Sequence, residues 1–147
     1  MDFYVFLQIL LASIAATSAM TLFSYIISAS FRELYKEPVL LTYILNKLNL
    51  DLSTKTKAVL AWILHYFIGL IFVVAYHILW FYNILDLSFL SVLFLGAASG
   101  IIGIIGWMFM FKITDHKPRI DFKGYYIQLF FAHVIFAITA TLTYSLF

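Results

Sequence analysis

Four stretches of the chain, residues 3–29, 58–82, 87–111 and 125–147, contain no Asp, Glu, Lys or Arg. Each is about 23–27 residues long, enough to cross a ~30 Å hydrocarbon core as a helix rising ~1.5 Å per residue. In lipid, every backbone N–H and C=O needs a partner within its own segment, so such stretches fold as transmembrane helices. No soluble alternative exists: with 65% of 147 residues hydrophobic and 11% charged, the polar surface is too small to cover a globule. The expected fold is all-α, a single-domain integral membrane four-helix bundle. The first stretch differs from a secretory leader, because Met1 and Asp2 bring an acid and no base, and its apolar run is too long. The chain has no Cys, which excludes disulfides, thiolate metal sites and Cys nucleophiles.

The bases fix the orientation. Arg32, Lys36, Lys47, Lys55 and Lys57 lie between the first two stretches, and Lys112, Lys117, Arg119 and Lys123 between the last two. The opposite side, with Asp2, the turn at 81–86 and the C-terminus, has no base. The positive-inside rule then predicts two cytoplasmic basic loops and both termini outside. These charges suit lipid headgroups; the interleaved acids Glu33, Glu37, Asp51, Asp115 and Asp121 argue against a nucleic-acid partner.

Within the first basic connection, Val39, Leu41, Ile44, Leu45 and Leu48 recur at helical spacing after Pro38, predicting an amphipathic helix over about 38–49 on the inner membrane surface. Pro38 suits its first position, and Asp51 or Ser53 is placed to cap the second span. The second connection reads as a plain turn containing Pro118.

Two features repeat in order. Phe31-Arg32 leads to Pro38 as Phe111-Lys112 leads to Pro118, and His65 precedes Tyr76 by the same interval as His133 precedes Tyr144. The expectation is two duplicated transmembrane hairpins, related by a pseudo-twofold axis along the membrane normal. His65, Gly69, Phe72 and Tyr76 share a helix face, as do His133, Ala137, Ala140 and Tyr144.

An imidazole in hydrocarbon faces the bundle and finds a partner. Three uses are open to His65 and His133: bonding a hydroxyl of a neighbouring helix such as Ser13, Thr17, Ser18 or Ser99; axial ligation of a b-type haem; or lining a proton or solute path. Against the last stands the expectation that no carboxylate lies within the membrane. His77 reads as part of an outer aromatic belt beside Trp80, and His116 as a solvated loop residue.

Gly96, Gly100 and Gly103 form a close-packing stripe on the third span, and Ala16 lies in a small-residue run on the first. The economical arrangement puts spans one and three together at the axis, which would separate His65 from His133; a homo-oligomer contact is the rival use of the glycines. No triad, phosphate-cradling loop or metal-ligand spacing is present, so an enzyme is not expected.

The segments 15–21, Glu37-Pro38-Val39-Leu40, 62–72 through Tyr76, and Ala132-His133 together resemble a group of bacterial four-span inner-membrane proteins classed as a domain of unknown function. The chain departs from that group at Ala137, where a Gly is usual, and in a more basic loop after span three. The resemblance implies a four-helix inner-membrane protein with intramembrane histidines. The expected role is a structural or accessory component of a homo-oligomer or larger membrane complex, with no metal or cofactor. The alternatives are a transporter or channel-like oligomer using the His/Tyr stripes, and a bis-His haem protein.

Overall fold

The computed structural model describes residues 3–48, 50–114 and 118–147. It contains five helices, α1 (Phe3–Phe31), α2 (Glu37–Lys47), α3 (Thr54–Phe81), α4 (Phe89–Ile113) and α5 (Phe122–Tyr144), and no strand among the described residues. All but α2 are long and apolar enough to cross a membrane, the helix set of a multi-pass integral membrane protein. The expected Asp2, His116 and Lys117 assignments lie outside the described residues.

The helix ends follow from local chemistry. Arg32 and Asn83 adopt positive φ, 56° and 53°, and each closes its helix with a six-to-one backbone bond, Glu33 N–H to Ser28 O at 3.2 Å and Ile84 N–H to Leu79 O at 2.9 Å. Of the two candidates for the α3 cap, Ser53 takes the position and accepts from Thr56 N–H at 3.1 Å. Pro38 occupies the second position of α2, one residue later than expected, because the helix starts at Glu37. Both suit a residue without an N–H.

The helices pack in the order α3, α1, α5, α4, with α1 against both α3 and α5, and α5 against both α1 and α4. Spans one and three therefore do not meet at an axis. The glycine stripe explains why: Gly96 faces Val134, Gly100 faces Phe130 and Gly103 faces the His133 ring, all on α5. The small residues do allow close approach, but to the fourth span rather than the first. Ala16 is fully buried on α1.

A twofold that maps α1 onto α4 and α3 onto α5 would demand an α3–α4 interface matching that of α1 with α5. The two outer helices instead make little backbone contact. They are bridged towards the end that holds both termini, where the Tyr76 and Ser99 hydroxyls are 2.5 Å apart. Tyr76→Phe is expected to lower stability by about 1 kcal/mol, and Ser99→Ala made on top to add much less than it does alone. Fully additive losses in detergent unfolding would mean that the bond contributes nothing.

The start of α1 and the C-terminus lie at one end, joined by Tyr4 Oη donating to Phe147 O at 2.6 Å and Gln8 Nε2 donating to Tyr144 O at 2.8 Å. His77 Nδ1 is 2.6 Å from the Tyr144 hydroxyl there, and the Trp80 and Tyr144 rings approach to 4.6 Å. At the opposite end, α2 turns its apolar side, Leu40, Leu41, Ile44 and Leu45, into protein against α3. The amphipathic pattern was legible, but its greasy face meets the bundle instead of lying on lipid.

Candidate functional site

The turn after α1 reverses the chain so tightly that the start of α2 re-enters the bundle. Tyr35, 4% exposed, plugs the end, its ring 6.1 Å from that of Tyr125. Glu37, 1% exposed, follows it inward. The sequence places Glu37 among the loop charges; the structure overturns that reading and puts a carboxylate inside the bundle.

The carboxyl is held on one side only. Ser24 Oγ of α1 donates to Oε1 at 2.7 Å, Gln128 Nε2 of α5 donates to Ser24 Oγ at 2.6 Å, and the same amide reaches Oε1 at 3.5 Å. Oε2 is buried and has no hydrogen-bond partner among the described residues, and neither has Gln128 Oε1. Among the described residues no cation compensates the charge: Lys36 turns away, its ammonium 4.8 Å from the centre of the Tyr25 ring. Burial pushes the Glu37 carboxyl up to about 7, against which the bonds from Ser24 and Gln128 work.

Glu37 faces a cavity of about 190 Å³. Four polar side chains line it, Thr17, Glu37, His65 and His133, within a wall that is otherwise apolar or aromatic. The two histidines are thus not separated by α1 and α4 but share one cavity, since α4 packs on α5 and leaves the space beside α3 open. Its rim includes Ile68 and Ile102, 40% and 57% exposed, so the opening lies between α3 and α4, where a symmetric bundle would have had an interface. A Cβ at Gly106, which also lines the cavity, would meet nothing within 4 Å, unlike one at Gly69 or Gly103.

Hydrogen bonding fixes both tautomers. His133 Nδ1 lies 2.8 Å from Leu129 O and must carry the proton, leaving Nε2 bare on the side of Gly103. Thr21 Oγ1 gives its own proton to Thr17 O at 2.6 Å, so the contact of 2.9 Å from His65 Nε2 is a donation by the imidazole, and Nδ1 is bare. A neighbouring hydroxyl does satisfy His65, as one sequence reading expects, but it is Thr21. Tyr76 finds Ser99 and Tyr144 finds His77, so the two His-to-Tyr stripes have unlike surroundings, and neither tyrosine joins the cavity.

The residues that sequence reasoning missed are Glu37, Ser24 and Gln128. One signal was present: Thr17, Thr21, Ser24 and Ser28 recur at intervals of three and four on α1, a polar stripe that must face the interior. Comparison with protein-family models, curated proteins and solved structures finds no match.

Proposed function

We propose that this is a non-enzymatic carrier-type protein of the bacterial cytoplasmic membrane, in which a small guest enters the cavity sideways from the bilayer between α3 and α4. One observation carries this reading: an internal cavity that unites a buried, unpaired carboxylate with two histidines and opens between two helices. Ionisable groups at membrane depth are costly and mark solute or proton pathways. A purely structural accessory subunit gains nothing from burying an uncompensated acid. Self-association through the glycine stripe has lost its main support, since those glycines are spent against α5. Haem ligation is less well supported than a solute cavity, because His65 Nε2, the usual ligating atom, is engaged by Thr21. The basic ends of the spans support an orientation with both termini outside.

The absence of native thiols makes the test direct. In liposomes, Gly106→Cys is expected to react with a small water-soluble thiosulfonate at least about tenfold faster than Ile105→Cys, since only a thiolate in contact with water reacts. Ile105 is 60% exposed on the outside of the bundle and serves as the lipid-facing control. Equal rates at the two positions would mean a dry cavity and would sink the carrier reading.

A further inference from the structure

Three of the four polar residues that line the cavity share one chemical character. Glu37 Oε2, the bare Nδ1 of His65 and the bare Nε2 of His133 are all hydrogen-bond acceptors, with Gln128 Oε1 a further unpartnered acceptor behind the carboxyl. Among the described residues that line it there is no Lys or Arg; the side-chain groups free to give a proton are the Thr17 hydroxyl, itself without a partner, and the indole N–H of Trp107. The rest of the wall includes Phe72, Trp107 and Phe136, whose ring faces attract positive charge. A space lined with acceptors and aromatic faces, holding a single uncompensated carboxylate, is complementary to a cation that carries N–H donors on an apolar body.

Resting on the carrier reading, we propose that the guest is a lipophilic organic ammonium ion, bound with its N–H groups on Glu37 Oε2 and its apolar part against Phe72, Trp107 and Phe136, in competition with a proton for the same oxygen. Below about pH 7 one proton leaves Glu37 for each cation bound, so the site exchanges one positive charge for another and stays neutral. A bare metal ion is a poorer match, because among the described residues no three His, Asp or Glu groups converge to hold one.

The competition falls in the physiological range, since burial lifts the Glu37 carboxyl to about 7. The titratable groups around it are Tyr25 on α1, His65 on α3, and Tyr125 and His133 on α5, with Lys36 directed onto Tyr25.

The test is binding of 2-phenylethylammonium to the full chain in nanodiscs, followed by tryptophan fluorescence and calorimetry, with the neutral isostere 2-phenylethanol as comparison. The ammonium should bind at least about tenfold more tightly than the alcohol. Its affinity should fall steeply between pH 8 and pH 5, as protons occupy the carboxylate, whereas that of the alcohol stays flat. Glu37→Gln should remove the preference, and Gly106→Phe, which fills open space, should abolish binding of both. The pH series on the unaltered chain stands even where Glu37→Gln fails to fold. Equal binding of the two probes, ammonium affinity that ignores pH, or no ammonium binding at all would each overturn the cation assignment. A reactive Gly106→Cys beside any of those results would leave the carrier reading standing, and an unreactive one would remove both.

Discussion

Replacing Gly96 with leucine is expected to cost the bundle ~3 kcal/mol or more, while the same change at Gly106 leaves it folded. The difference lies in what each new Cβ meets. At Gly96 it would come within 2.8 Å of Val134 Cα, a backbone atom that cannot move without shifting α5, and within 3.4 Å of the Ala137 methyl. At Gly106 it meets nothing within 4 Å, and the gain in helix propensity over glycine adds up to ~1 kcal/mol in its favour. Because α5 carries both of the largest interfaces, with α1 and with α4, pushing it away from α4 loosens the whole molecule. Titration with a denaturing detergent, followed by tryptophan fluorescence, measures both variants. Equal loss at the two positions would mean that α4 does not seat on α5 through its glycines.

The second large effect is the pH dependence of stability. Glu37 titrates near 7 in the folded chain against an ordinary 4.5, so the folded state holds a proton that the unfolded chain gives up. Its contribution is therefore fully present below about pH 4.5 and is lost as pH rises through about 7. That interval corresponds to ~3 kcal/mol, so the bundle should unfold far more readily at pH 8.5 than at pH 4.5. Glu37→Gln, which keeps the shape and cannot ionise, should remove this slope. Subtracting the two pH profiles cancels the groups they share, the histidines included. Parallel profiles would show that the carboxyl is not buried as described.

Sequence and structure agree where the physics is local. The spans follow from uninterrupted apolar runs, the Ser53 cap from a hydroxyl three residues before the N–H it accepts, and the shared end of the termini from an even number of crossings. Pairing is different, because Gly96, Gly100 and Gly103 state that some backbone comes close without stating which. The partner was settled by Val134, Phe130 and His133, whose side chains fill the notch. Glu37 was illegible for a related reason. A charge among Arg32, Lys36 and Lys47 reads as a loop charge, and its burial is decided by the reversal at Arg32 and by Gln128, 91 residues further along. The paired histidines could be picked out as interior groups from their shared depth, but not as neighbours across one cavity.

The clasp around Glu37 also orders the birth of the protein. Ser24 is made before the carboxylate and Gln128 last, 104 residues after Ser24, so during synthesis α1, α2 and α3 are complete while the acid still lacks one of its two holders. A chain stopped before α5 would leave that carboxylate without Gln128, although α2 would still have α3 to pack against. Arrival of the final helix thus adds His133 and Phe136 to the cavity wall, so the proposed guest site is completed only once α5 is in place.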